Sequence, residues 1–400
     1  MRSIQYTVSR EAVYQDTCRL LRVCLNLRDY KRCCSANLLT SLLMQASMRL
    51  VSLYQSCSMC VRTCCYETAR KALLFNLPSL PLLESQLNSA LAVRLPTSLK
   101  RRPQRLALDL VLTPYHGQPQ EDPNEIYRGS YKNGTSHFHA YATLYVARRG
   151  QRFTLALTSV KASEPLDQVV KRLMRYGARI GVKSRLVLLD RAFWTVDVIR
   201  YLQRARCPFL MPVIGRGRKA NDSRGPSGTH VFYSWKRSGF SSYVLHSRRG
   251  KKTARVSICV HRLTREGRKS GEKKPLVYAY WGLRPVSTAW VRETYRRRYG
   301  IESSYRQMKQ SRARTTTRSP LVRLLWVGLS LILRNIWIWM HYELLSTPHR
   351  GARKLNEQRL HYQQFLACLL AVASQQLQLI DRFIIERPQP KHLLLHTAPG

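Results

Sequence analysis

The chain predicts an α/β fold in which an all-helical N-terminal region precedes a sheet-containing body. Three observations carry that expectation. Within residues 1–100, apolar residues recur at three- and four-residue intervals, as in Cys18–Leu27 and Leu38–Leu53. From Arg105 the pattern changes to short apolar runs, Leu106–Leu112 and Arg185–Asp190, which read as strands. Amphipathic stretches at Leu166–Ile180 and Val196–Arg204 then supply the helices of an α/β unit.

In the first region, Tyr66–Leu73 starts a further helix with Arg70 and Lys71 exposed. Several short helices, one of them basic, suit a helix-turn-helix DNA binder or a plain helical packing domain. Leu77-Pro78 and Lys100-Arg-Arg-Pro103 punctuate the chain before the next unit. Eight of the eleven cysteines precede position 66, including Cys57, Cys60, Cys64 and Cys65. No second CxxC or His pair follows at finger spacing, so these read as free, mostly buried thiols rather than metal ligands.

The second region, 105–345, continues after β-type Leu106–Leu112 with a polar loop from Pro114 to Gly134. Strands follow at Phe138–Val146 and Phe153–Val160, joined at Arg149-Gly150, and then the helix, strand and helix already named. That order, three strands, helix, strand, helix, opens a ribonuclease-H-like fold. Residues 207–285 return to β character at Phe209–Ile214, Tyr243–His246, Val256–Val260 and Leu276–Trp281. The helix that bears Glu302 runs from Ala289 and is interrupted by Pro320. Residues 321–342 are apolar but broken by Arg323 and Arg334, which favours a buried helix over a membrane span. The remainder, 346–400, holds one helix and a Pro-rich basic tail. The N-terminal MRSIQYTVSREAV lacks the apolar segment of a signal peptide.

Sixty-eight Lys and Arg residues against 22 Asp and Glu give a net charge of +46. A field of that sign and size calls for a polyanion, and nucleic acid is the default. Within it, Tyr295, Arg298, Glu302 and Lys309 are spaced so that an ideal helix places them in a sector of about 60°. Arg297 lies about 100° from Arg298. The group is either a metal-binding acid set in a phosphate-binding surface or a solvated helix with one ion pair.

Asp109, mid-strand, and Asp190, at a strand end, both sit in apolar runs where an unpaired carboxylate is costly. With Glu302 they form a set of three carboxylates suited to two Mg²⁺ ions, because hard cations take oxygen ligands. Two such ions serve in-line displacement at a phosphodiester. Asp109 can otherwise be a capped strand-end or salt-bridged acid, and Asp122 and Glu125 in the loop compete for its role.

The Tyr-(2)-Arg-(3)-Glu-(6)-Lys spacing resembles the signature of a large group of DDE-type insertion-sequence transposases. Leu188–Ile199 and Asp109–Gly117 resemble that group's second- and first-acid segments, with Leu110 and Val111 departing from the residues that commonly follow the first Asp. The resemblance spans roughly 105–345 and implies a ribonuclease-H-like catalytic domain with residues 207–285 as a β-strand insertion before the last catalytic helix, and catalytic, metal-binding Asp109, Asp190 and Glu302. It assigns Tyr295, Arg298 and Lys309 to DNA. It further implies Mg²⁺, with Mn²⁺ as a substitute, and duplex DNA (terminal inverted repeats and target) as partner. A homodimer on DNA and a cytoplasmic, nucleoid-associated prokaryotic location, with no membrane, complete the expectation. Trp194, Trp281 and Trp290 would stack a displaced base or pack in the core. A nuclease without strand transfer, a non-catalytic remnant acting as a repressor, and a basic RNA-binding protein are the competing readings.

Overall fold

The computed structural model describes residues 8–380 apart from 149, 220, 248–249, 263–274, 350–351 and 355–356. The Pro-rich basic tail expected at the C-terminus lies outside the described residues. Six helices come first: α1 (Arg10–Cys24), α2 (Ala36–Arg49), α3 (Leu53–Ser58), α4 (Tyr66–Asn76), α5 (Leu80–Val93) and α6 (Ser98–Arg101). Ser9, Ser35 and Ser52 cap the first three through their hydroxyls, meeting N–H groups that a helix start leaves unpaired. Leu77-Pro78 separates α4 from α5 as the sequence predicts.

The body follows as β1 (Gln104–Pro114), β2 (Tyr127–Lys132), β3 (Thr135–Val146), β4 (Thr154–Val160), α7 (Leu166–Arg179), β5 (Ser184–Leu189), α8 (Val196–Arg204) and β6 (Phe209–Pro212). Next come α9 (His230–Tyr233), β7 (Gly239–His246), β8 (Thr253–His261) and β9 (Leu276–Trp281). The chain then forms α10 (Thr288–Arg296), α11 (Gly300–Lys309), α12 (Pro320–Met340) and α13 (Tyr362–Leu377). In the main sheet β3 pairs with β1, β1 with β5, and β5 with β6, and β9, β8 and β7 continue beyond β6. β1, β5 and β6 are parallel, whereas β3 runs antiparallel to β1. β9 is antiparallel to β6.

Two expectations need correction. The stretch Pro114–Gly134 is not all loop, because it contains β2 on the outer edge of β3. Most of its residues are exposed, so no apolar run announces it. Pro320 does not interrupt the long helix but opens α12 at its first position, where its missing N–H costs nothing and its φ is already helical. α12 is apolar and long enough to cross a membrane, yet 94% of its apolar window is buried in the fold. Its arginines are partnered: Arg323 Nε donates to Thr317 O at 2.7 Å, and Arg334 Nε to Gln307 Oε1 at 2.9 Å.

Beside β2, the outer edge of β3 is filled by β4, whose own free edge is closed by side chains from two helices. Asn88 of α5 both donates to Leu157 O (2.9 Å) and accepts from Leu157 N (2.7 Å). Glu84 accepts from Ser159 N at 2.7 Å. Asn335 of α12 accepts from Thr154 N at 2.9 Å and donates to Thr154 O at 2.8 Å. An exposed sheet edge invites strand addition; here amides and a carboxylate imitate a neighbouring strand. Asn335→Leu should therefore cost about 2–4 kcal/mol, since it strands a buried N–H and C=O together. Urea unfolding measures this, and a loss below about 0.5 kcal/mol would contradict the edge-sealing role.

Candidate active site

Each strand presents alternate residues to opposite faces. On β1, Leu106 and Leu108 enter the large core beneath α7 and α8. Ala107 faces the other way, into a smaller cluster with Tyr145, Leu188, Tyr278, Val291, Tyr295 and Ile301 under α10 and α11. Asp109, two residues on, shares that second face. The parallel register pairs Leu108 with Leu189, so Asp109 and Asp190 stand side by side, one step past that pair. Sequence spacing could not reveal this; it depends on β1 and β5 being parallel neighbours.

Arg298 joins them. Its Nη2 lies 3.0 Å from Asp109 Oδ2 and 3.2 Å from Asp190 Oδ1. Asp109 is 8% exposed and Arg298 5%, whereas Asp190 is half-buried. Burial raises the Asp109 pKa to about 6; the Asp190 charge adds to the rise, while Arg298 and the Leu110 N–H oppose it. Burial also works against the Arg298 charge, but Asp109, Tyr295 and Asp190 outweigh it and hold its pKa above the ordinary value. Tyr295 donates to Leu189 O at 3.2 Å, which ties α10 to the strand end that carries Asp190. Its ring lies 5.8 Å from the Arg298 guanidinium.

The expected single helical face does not form. α10 stops at Arg296, residues Arg297–Tyr299 make a 3₁₀ turn, and α11 begins at Gly300. The tighter turn rotates the chain by about 120° per residue instead of 100°. Tyr295 and Arg298 point into the fold, whereas Glu302 and Lys309 are exposed. Gly300 lets the start of α11 lie close to β3, since a Cβ there would meet Arg152 Nε at 2.9 Å and the Tyr145 hydroxyl closer still. Glu302 occupies the first turn of α11, where the helix dipole favours a carboxylate.

Asp122 and Glu125, the competitors for Asp109, are engaged elsewhere. Asp122 pairs with Lys161 at 3.1 Å, and Glu125 accepts from Gln120 N at 3.2 Å. Trp194 is fully buried, and Trp281 and Trp290 pack against apolar clusters, so all three serve packing in this conformation. Sequence inspection missed Tyr305, whose hydroxyl lies 2.7 Å from Thr143 Oγ1 beside Asp109 on β3. Its position three residues after Glu302 was the available signal. The cysteines are free, with Cys57 and Cys60 buried and Cys65 exposed.

Two carboxylates that converge on one cationic atom are a donor set that a hard divalent ion fits. Among the described residues, however, no group of three or more His, Cys, Asp or Glu side chains is gathered closely enough to hold a metal. Glu302 stands outside the aspartate pair.

A model of the family described as transposase DDE domain matches residues 100–336. The chain belongs to that family. Among solved structures it is similar to a piggyBac transposase, seen in a synaptic complex with hairpin DNA. That match has a TM-score of 0.50 and 11% identity and covers 97% of this chain and 84% of the other. At such identity the likeness concerns the fold alone, and it agrees with the ribonuclease-H-like order of β4, β3, β1, β5 and β6. No curated protein matches this transposase.

A raised carboxyl pKa contributes stability that is present at low pH and lost as pH rises through about 6. Removing the guanidinium deepens that loss. Arg298→Leu should cost about 3–5 kcal/mol at pH 8, where Asp109 would be buried and charged without its partner. At pH 5, where Asp109 takes up a proton, the cost should be much smaller. Chemical unfolding at both pH values tests this, and an equal penalty at each would contradict the pairing.

Proposed function

We propose that this DDE-family transposase cleaves the ends of a DNA element and joins them to target DNA, with Asp109, Asp190 and Glu302 as metal ligands. The observation that carries the reading is the convergence of Asp109 and Asp190 on a single cation where the parallel pairing of β1 with β5 ends. When bound, two Mg²⁺ ions (or Mn²⁺ in their place) would activate the attacking oxygen and stabilise the leaving oxygen of the phosphodiester. The chain's own residues bind and orient. Asp109 and Asp190 supply oxygen ligands from a rigid strand pair, and Glu302 joins them through a shift of α11.

Arg298 then has two states. Without DNA it neutralises the aspartates; with DNA and metal it turns to a phosphate oxygen, which a guanidinium meets with paired N–H groups. Tyr295 positions Asp190 through Leu189, and Lys309 holds backbone phosphate from the exposed end of α11. Strands β7–β9 correspond to the insertion that the family carries before its last acid. The N-terminal helices, with Arg70 and Lys71 exposed on α4, extend the DNA-contacting surface. Bringing two element ends together calls for a homodimer on DNA, at work in a prokaryotic cytoplasm.

Asp190→Asn tests the reading. It keeps the side-chain shape but removes a charged ligand, so Mg²⁺-dependent cleavage of an end-containing duplex should fall at least about a thousandfold. Binding of the same duplex should stay within a factor of about three, because the basic surface is untouched. Cleavage near the unmodified rate would remove Asp190 from the metal site. Cleavage without any joined product, on a supercoiled target, would reduce the activity to that of a nuclease.

A further inference from the structure

A second basic feature lies at the opposite ends of the strands from the aspartates, with its Arg105 on the same face of β1 as Asp109. Arg102, Arg105, Arg148, Arg152, Arg185 and Arg297 line a cavity of about 580 Å³, with Pro103, Gln104 and Ala147 completing its wall. Among the described residues no acid contributes to that lining. Arg105 and Arg185 are the second residues of β1 and β5, and Arg148 and Arg152 flank the turn after β3. Arg297 comes from the 3₁₀ turn, which sends it to the cavity and its neighbour Arg298 to the acids.

Six guanidinia around one cavity repel one another, and folding alone does not reward that. Burial lowers the Arg105 pKa, and Arg297 and Arg185 lower it further. The Nε of Arg105 is buried and has no hydrogen-bond partner among the described residues, an arrangement that costs free energy until an acceptor arrives. Arg152 lies close against Gly300, where a Cβ would meet its Nε at 2.9 Å. Arg102, Arg148, Arg185 and Arg297 are exposed, so the cavity is open to a large ligand. Paired N–H donors without any competing carboxylate match phosphate oxygens.

We propose that this arginine cavity is a second phosphate site, which grips the DNA backbone while another stretch of the same duplex lies at the aspartates. The proposal rests on the DNA-cleaving reading above and adds an anchor to it. Arg105 precedes Asp109 by four residues on one strand face, about 13 Å at 3.3 Å per residue. That span is about four base-pair steps of duplex at 3.4 Å each. The anchor would fix how far the attacked bond lies from a gripped phosphate.

The test compares two charge-matched triple variants. One is Arg148→Gln, Arg185→Gln and Arg297→Gln in the cavity. The other is Arg175→Gln, Arg200→Gln and Arg204→Gln, exposed on α7 and α8 across the sheet. Duplex binding is followed by fluorescence anisotropy against salt concentration. Each lost phosphate contact removes about 0.9 from the slope of log affinity against log salt. The cavity triple should lose about 2 to 3 in slope and the other triple less than about 1. Equal slopes for the two would overturn the proposal. Should the cavity triple fail to fold, the single variants Arg148→Gln and Arg185→Gln, both of exposed residues, should each lose about 0.9, and no loss would overturn it.

A parallel titration with inorganic phosphate separates the sources of the anion. If the cavity triple loses phosphate binding but keeps the full DNA slope, the cavity serves a free anion and the DNA anchor is wrong. An unmodified protein that shows the cavity-dependent slope but no cleavage would defeat only the catalytic reading.

Discussion

Everything at the candidate active centre depends on a carboxylate being kept where water scarcely reaches. Asp109 lies mid-strand, nearly buried, and its charge is tolerable only because Arg298 reaches it at 3.0 Å. The same guanidinium atom holds Asp190 at 3.2 Å. Arg298 can reach both because the helix that bears it breaks into a tighter turn at residues 297–299, and the glycine at 300 lets α11 pack close to β3. Removing any part of this chain of dependence releases the others. Tyr295 fixes the strand end, Gly300 lets α11 approach β3, and the parallel pairing of β1 with β5 aligns the acids.

The helices around the body have a constructive role beyond covering a face. α5 and α12 supply Glu84, Asn88 and Asn335 to the backbone of β4, so the sheet ends in side chains instead of an open edge. Gly328 of α12 allows the two helices to touch, since a Cβ there would meet Leu87 at 2.5 Å. One continuous apolar cluster runs from Tyr14 and Leu39 through Leu87 and Leu157 to Trp326 and Phe365. The N-terminal helices and the sheet body are thus bonded through both packing and hydrogen bonds. Their contribution to DNA binding, as proposed above, would come from a surface rigidly joined to the catalytic face.

Much of the fold was legible because apolar spacing is strong in its central elements. β1, β5, α7 and α8 bury one face or both, and their boundaries fall within a few residues of the apolar runs that predict them. β2 was hidden because an exposed edge strand has no apolar stripe. The 3₁₀ turn was hidden because Arg297–Tyr299 carries no proline or other breaker ahead of Gly300, and a regular helix extrapolates smoothly across it. That extrapolation placed Tyr295, Arg298, Glu302 and Lys309 on one face, whereas the structure buries the first two and exposes the others. The acids were identifiable as isolated carboxylates in apolar runs, but their adjacency required the register. The arginine cavity was invisible for the same reason, since its residues come from five separate places along the chain.

The central claim is that Asp109 and Asp190 form one cation site, held by Arg298 until metal and DNA replace it. Mn²⁺ binding in the presence of end-containing duplex, measured by electron paramagnetic resonance, tests it directly. The account predicts tight binding by the unmodified protein and a loss of at least about tenfold in affinity in either Asp109→Asn or Asp190→Asn, because each removes a charged oxygen ligand from the shared site. Unchanged Mn²⁺ affinity in both variants would contradict the account and leave the aspartates as a structural ion pair with Arg298.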